Sequence, residues 1–232
     1  MKSRVMLLIA AGLMCLSGLT HAYAVTVNNA SFESPALAGS GGIGPYNSSF
    51  VDWAGSDGIF GTWKPNDRFD TIPQGAQVAY IYSGSGLIAQ TTAEILKAGY
   101  TYTLSAQVGW RDPTADEPFE FGGGKIELLA GATVLKSATV CAFGCDFGAP
   151  LARKWATVSL DFTADGNTPG LDDPLTIRLS KLTTAATHHT SFDTISLTAV
   201  PLPAAAWLFG SALLGLGWAR RSRLQQQEVL CA

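Results

Sequence analysis

The chain is short of charge, histidine, cysteine and recognisable catalytic motifs. Charged residues are 14% of its 232 positions, and the histidines are His21, His188 and His189. Neighbouring residues on a strand point to opposite faces, so His188 and His189 do not easily reach one metal ion. Of four cysteines, Cys15 follows Met14 in an apolar stretch, where a lipoprotein signal would have a small residue, and Cys231 is next to last. Cys141 and Cys145 remain, two short of the four ligands of a structural zinc site. Basic excess is missing too. Residues 25–200 hold 10 Lys+Arg against 17 Asp+Glu, a formal charge of 10 − 17 = −7, which leaves no electrostatic footprint for nucleic acid. There is no Gly-x-Ser-x-Gly elbow, His-Glu-x-x-His helix or Walker loop. Residues 39–44, GSGGIG, match a dinucleotide fingerprint in letters only, because Pro45 follows and neither a strand before nor a helix after is evident.

Long apolar runs are confined to the two ends. Lys2 and Arg4 precede an apolar stretch over 5–19, and Ala22-Tyr23-Ala24 fits a small-residue cleavage site, so residues 1–24 read as a signal peptide and Val25 as the first mature residue. At the other end, the sixteen residues 204–219 carry no charge and Arg220, Arg221 and Arg223 follow. That run is slightly short of the roughly 20 residues a spanning helix needs, yet it can cross with local thinning or snorkelling. The arginines act as a membrane stop, kept cytoplasmic by the positive-inside rule. Just before the run stand Val200, Pro201, Leu202, Pro203 and Ala204. This motif, span and arginine cluster over 200–223 resemble the PEP-CTERM class of sorting signals in its VPLPA variant. The resemblance implies export across the inner membrane, a membrane-anchored precursor, cleavage by an exosortase-type transpeptidase, and delivery to the cell envelope or extracellular matrix. Residues 224–232 would form a short cytoplasmic tail.

Between the addresses lies one domain's worth of chain, 25–199, long enough to close a core without staples. Its pattern is β. Tyr100, Tyr102, Leu104, Ala106, Val108 and Trp110 alternate with Thr101, Thr103, Ser105, Gln107 and Arg111; Ala156, Val158, Leu160 and Phe162 alternate with Trp155, Thr157, Ser159 and Asp161. Further strands are predicted at 77–82, 125–130, 133–139, 175–180 and 191–199, with a helical turn at 93–97. Many short strands between Gly, Pro, Asn and Asp punctuation argue for a β-sandwich or jelly roll. Cys141 and Cys145 can pair in an oxidising compartment, closing a small loop in which Gly144 supplies the bend.

Three stretches, 27–33 (VNNASFE), 98–105 (AGYTYTLS) and 191–197 (SFDTISL), resemble the framework of galactose-binding-like jelly rolls, a group that includes carbohydrate-binding modules. That resemblance implies a structural calcium tying the first strand to the last, with Glu33 and Asp193 at the matching positions. Asp193 shares the parity of Ile195, Leu197 and Ala199, which points its carboxylate inward and calls for a partner. Calcium needs six to eight oxygens, so carbonyls and Asn28 or Asn29 would complete the shell; the alternative is that Glu33 caps a turn and Asp193 accepts backbone N–H bonds. Sugar rings need flat aromatic faces beside hydrogen-bonding groups. Trp155, Gln107 and Arg111 project from the polar sides of their strands, and Trp53 and Trp63 lie in a Gly/Asp-rich segment near the surface; the alternative for each tryptophan is a core or loop plug. Asp116, Glu117 and Glu120 could pair as hydrolytic carboxylates but read as a solvated loop.

The expectation is therefore a non-enzymatic, exported, all-β jelly roll with a signal peptide and one C-terminal membrane helix. Its partners are an exosortase-type transpeptidase, the inner membrane before processing, and a polysaccharide that it binds or organises. Two alternatives stand beside it: a structural matrix protein without a ligand, and a glycan-active hydrolase or lyase.

Overall fold

The computed structural model describes residues 21–39, 51–82, 84, 86–113, 120–185 and 187–202. Residues 1–20 of the signal segment, Pro203, Ala204, the apolar span, Arg220, Arg221, Arg223, Asp116 and Glu117 lie outside them, whereas Tyr23 and Ala24 pair with Ala199 and Thr198. Residues Tyr23–Ala199 form one compact unit. Among the described residues no helix is long and apolar enough to cross a membrane.

In chain order the strands are β1 (Tyr23–Val25), β2 (Ala54–Ser56), β3 (Phe60–Trp63), β4 (Val78–Ile81), β5 (Leu87–Ile95), β6 (Tyr100–Gly109), β7 (Glu120–Phe121), β8 (Gly124–Ala130), β9 (Thr133–Cys141), β10 (Phe147–Gly148), β11 (Trp155–Ala164), β12 (Pro174–Lys181) and β13 (His188–Pro201). They make two sheets. One runs β11-β6-β13-β4-β3, with β1 and β7 also paired to β13; the other runs β10-β9-β8-β12-β5-β2. The chain is an all-β sandwich of the jelly-roll kind.

Period-two alternation explains the arrangement. On β6, Tyr102, Leu104, Ala106 and Val108 enter the core between the sheets, together with Val158 and Leu160 of β11, Ile126 and Leu128 of β8, and Leu175, Ile177 and Leu179 of β12. Fully burying each such side chain contributes roughly 1.5–3 kcal/mol. β6 and β11 pair antiparallel, with Trp155 opposite Gly109, Gln107 opposite Thr157 and Tyr100 opposite Ala164. Outside, Thr103 Oγ1 donates to Asp161 at 2.6 Å and Gln107 Nε2 to Thr157 Oγ1 at 2.9 Å, so this stretch of the outer face is polar.

Three local expectations change. Residues 93–95 end strand β5 rather than begin a helical turn. The strand was hard to read because buried positions hold Gln90 and Thr92: Gln90 Nε2 donates to the carbonyls of Asn28 and Asp52, and Thr92 Oγ1 to that of Leu175. Asp193 does not share the core parity of Ile195. Thr194 has φ 51°, and this break in the alternation lets both Phe192 and Ile195 enter the core while Asp193 takes the opposite face. Trp110 lies past the end of β6 and stacks on Phe121 at 6.0 Å instead of joining Tyr102 and Leu104.

Candidate functional site

β4 has apolar residues on both faces and all four are buried. Ala79 and Ile81 belong to the main core, whereas Val78 and Tyr80 join Trp63 and Phe69 in a second cluster, with Ile59, Ile72, Tyr82 and Trp155 packed around it. This second cluster sits on the outer face of the β11-β6-β13-β4-β3 sheet. The register explains the grouping: Trp63 is opposite Val78 across β3 and β4, and Tyr80 is opposite Ser191 across β4 and β13. A strand that is apolar on both sides must have both sides covered. The sequence VAYI, apolar at every position, carries that signal.

The rings pack into an aromatic cluster, termed the cup below. Trp63 meets Phe69 at 6.4 Å and Tyr80 at 6.5 Å, both edge to face. Phe69 stacks on Trp155 at 4.5 Å, and the Trp155 indole donates to the Thr71 carbonyl at 2.9 Å. Gly109 lies opposite Trp155, and a Cβ there would come within 2.7 Å of the indole and 2.8 Å of Phe69. The segment carrying Phe69 is tied down by Arg153, whose Nε and Nη1 bond Asp70 at 2.6 Å and Asp112 at 3.0 Å. The Arg153 guanidinium, with Lys154 beside it, holds the Asp70 carboxyl below the usual carboxylate range.

Polar groups enter the cup from three places. Arg111 lies with its guanidinium carbon 5.2 Å from the Trp63 ring centre, a cation–π distance. His189 stacks on Tyr80 at 5.7 Å with 9° between planes and meets Trp63 edge-on at 5.5 Å. Burial holds the His189 imidazole well below its ordinary pKa, and the charges of Arg111 and Lys181 push the same way, so it is neutral near pH 7. Lys181 donates to the carbonyls of Tyr82, Ala185 and His188, and burial lowers its pKa to about 8. Ser191 is fully buried. Its Oγ and the Trp63 Nε1 have no hydrogen-bond partner among the described residues, which is rare for buried polar atoms and asks for an explanation.

Glu33 and Asp193 are brought together by the backbone of residues 74–77. Glu33 Oε1 accepts from the amides of Ala76 at 2.8 Å and Gln77 at 2.7 Å, and Asp193 accepts from those of Gln74 at 3.0 Å and Thr194 at 2.6 Å. Gly75 has φ 69° and passes so close that a Cβ would overlap the Glu33 carboxyl. Burial raises the Asp193 pKa to about 7 against the opposing pull of the two amides, and the negative charge of Glu33 adds to the rise. Asn29 is otherwise engaged: its side chain bonds the carbonyls of Ser34 and Val51. Among the described residues no three or more of His, Cys, Asp or Glu gather into a metal cluster.

Of the candidate aromatic and polar residues, Trp63, Trp155 and Arg111 meet at the cup, while Gln107 stands beside it, bonded to Thr157. Trp53 does not join them. It is a core residue, 1% exposed, packed on Phe32 at 5.2 Å, with its Nε1 donating to the carbonyls of Asn28 and Asn29. Val200 and Pro201 end β13 and Leu202 follows. Cys141 and Cys145 form a disulfide with Sγ–Sγ 1.94 Å. Reasoning from sequence missed Phe69, Val78, Tyr80, His189 and Ser191 as parts of one site, since they come from separate segments with no shared local motif.

Comparison with known proteins bears on the kind of protein this is. The HpiC1-like family, described as HpiC1 cyclase, matches residues 23–198. Among curated proteins no match is found. A Stig cyclase, Fisc from Fischerella sp. TAU in complex with (3Z)-3-(1-methyl-2-pyrrolidinylidene)-3H-indole, is 25% identical with TM-score 0.67 over 78% of this chain and 100% of that one. A cyclase from Fischerella sp. TAU in complex with 4-(1H-indol-3-yl)butan-2-one is 26% identical with TM-score 0.66 over 78% and 98%. Structural neighbours also include a carbohydrate-binding module, TmCBM61 in complex with β-1,4-galactotriose, at 13% identity and TM-score 0.45 over 75% and 97%. These matches correct the expectation of a non-enzymatic polysaccharide binder partnered by an exosortase. The family model is described as a cyclase, and the two Fischerella cyclases are in complex with indole-containing molecules. No match supports the likeness of the tail to a PEP-CTERM signal or a partnership with an exosortase.

Proposed function

The chain belongs to the HpiC1-like cyclase family, and we propose that it is an exported enzyme that binds a small aromatic molecule in the outer-face cup and closes a ring on it. The observation that carries this reading is the second aromatic cluster, Trp63, Phe69, Tyr80 and Trp155, built on the sheet's outer face with Arg111, His189 and Ser191 among its rings. Export is supported by the charged start, apolar stretch and Ala22-Tyr23-Ala24 site at the N-terminus.

A ring closure that forms one carbon–carbon bond at the expense of a π bond leaves the mass unchanged, and any proton the substrate takes up at one atom is lost again from another. The cup supplies what such a step needs. Its rings exclude water and hold an aromatic substrate edge and face, which strengthens every polar contact inside. The neutral His189 imidazole accepts a hydrogen bond from a substrate N–H or O–H. The Trp63 N–H is a fixed donor and the Ser191 hydroxyl a rotatable one for an atom on which negative charge develops, the kind of arrangement that stabilises a transition state.

Glu33 and Asp193 suit a structural calcium. They are two converging carboxylates, one of them buried and at a raised pKa partly because of the other. The ion would supply compensating charge and tie the segment after β1 to β13, with backbone oxygens completing the shell.

Titration calorimetry of the full-length protein with 4-(1H-indol-3-yl)butan-2-one tests the cup. Saturable one-to-one binding is expected, weakened about tenfold or more by Trp63→Ala or Tyr80→Ala, the order of an anchor residue's effect. Absence of saturable heat, or unchanged affinity in a folded Trp63→Ala protein, would overturn the assignment.

A further inference from the structure

The first strand of the domain bears on where the exported chain is cut, on the export reading just given. A signal peptidase reads small residues directly before the bond it cuts and two positions before that. Two neighbouring bonds meet this rule. The bond after Ala24 has Ala22 and Ala24 at those positions; the bond after Ala22 has Thr20 and Ala22. Two alanines make the first the better match in sequence alone, with Val25 as the mature terminus.

The fold favours the second. β1 begins at Tyr23, and its register against β13 sets Tyr23 opposite Ala199, Ala24 opposite Thr198 and Val25 opposite Leu197. The Tyr23 hydroxyl donates to Glu94 Oε1 at 2.9 Å, an oxygen that also holds Lys97 Nζ at 2.8 Å. Its ring meets Tyr100 edge to face at 6.4 Å. His21 and Ala22, by contrast, are exposed and belong to no strand. The compact unit starts at Tyr23 as well, and so does the stretch that the cyclase family matches. A cut after Ala24 would discard two of the three β1 pairs together with every contact of Tyr23. It would also place the new α-ammonium on Val25, which is 8% exposed with its side chain in the core, and burying an unpaired charge is costly. A cut after Ala22 keeps β1 whole and leaves that charge on a residue 36% exposed.

We propose that a membrane-bound signal peptidase hydrolyses the peptide bond between Ala22 and Tyr23, so that the mature protein begins with Tyr23 as the first residue of β1. The amide C–N bond breaks and one water is consumed. Its oxygen ends in the Ala22 carboxylate and its two hydrogens on the Tyr23 nitrogen, which becomes the terminal ammonium. Tyr23 and Ala24 are thereby part of the working domain and not of the discarded leader.

Expression of the full chain in a Gram-negative host, followed by mass spectrometry of the N-terminal peptide of the exported protein, decides this. The wild type starts at Tyr23. Thr20→Tyr puts a bulky residue in the recognition positions of the bond after Ala22 only, and the Tyr23 species is lost, whether the precursor accumulates or the cut moves to Val25. Ala24→Tyr spoils only the bond after Ala24, at a position that is exposed in the fold, and the Tyr23 terminus persists. A wild-type protein that starts at Val25, or at any residue other than Tyr23, overturns the proposal while leaving export in place, as does loss of processing in Ala24→Tyr. A wild-type chain that keeps its apolar start in every cell fraction overturns the export reading and this proposal with it.

Discussion

Asp193→Asn should change the pH dependence of stability in a direction set by the buried carboxyl. Burial raises the Asp193 pKa from 3.8 to about 7 in the folded protein. Between those values the folded chain binds more protons than the unfolded one, so this group's contribution to stability falls as pH rises from about 4 to about 7, then stays level. A shift of three units corresponds to about 4 kcal/mol as an order of magnitude. Asparagine does not titrate, but it has one acceptor oxygen where Asp193 uses two to receive Gln74 and Thr194, a loss of about 1–3 kcal/mol at every pH. The stability difference between wild type and variant, measured by urea unfolding in chelator, should therefore move by about 4 kcal/mol between pH 4 and pH 8, with the wild type losing ground as pH rises. Calcium at a hundred times its dissociation constant should return about 2.7 kcal/mol to the wild type at pH 8 and little to the variant. A difference that stays constant with pH in chelator would refute the burial argument, and an equal calcium gain in both proteins would refute the metal assignment.

Gly109→Ala should push Trp155 and Phe69 apart, because its Cβ meets both at under 3 Å; a loss of about 1–3 kcal/mol and a changed near-ultraviolet dichroism spectrum are expected, and an unchanged melting temperature and spectrum would contradict the packing. Trp53→Ala removes a core indole and should cost about 3–5 kcal/mol in denaturant unfolding; a cost under 1 kcal/mol would place Trp53 at the surface after all. Replacing Cys141 and Cys145 by serine opens a loop of only five residues, so the expected loss is at most about 2 kcal/mol by chain entropy. Collapse of the fold in that variant would show that the loop matters for packing and not merely for closure.

The fold was legible where strands carry strict alternation. β6 and β11 could be read residue by residue, inward and outward faces included, because one side of each pair is solvated. β5 was not, since Gln90 and Thr92 occupy buried positions and are satisfied by backbone carbonyls that the sequence does not reveal. β3 is four residues between turns, too short for periodicity to speak. The misreading of Asp193 has a single cause: one residue, Thr194, at positive φ reverses the parity of everything after it. Arg111 and Trp155 were legible as candidates by their faces and Trp63 by its Gly/Asp-rich segment, yet their chemistry was not. Sugar platforms and aromatic cups both begin as exposed-parity tryptophans, and what separates them here is Tyr80, Phe69, His189 and Ser191, which only pairing across β3, β4 and β13 brings near. A site assembled from such distant segments has no motif to find.

The most direct test of the account is a crystal structure of the protein soaked with 4-(1H-indol-3-yl)butan-2-one. The account predicts the indole on the outer face of β3, β4 and β13, in contact with Trp63 and Tyr80 and within hydrogen-bond reach of Ser191 or His189. An indole bound instead in the open groove beside Asp52, Gln90 and Thr91, with the cup filled only by its own side chains, would contradict it.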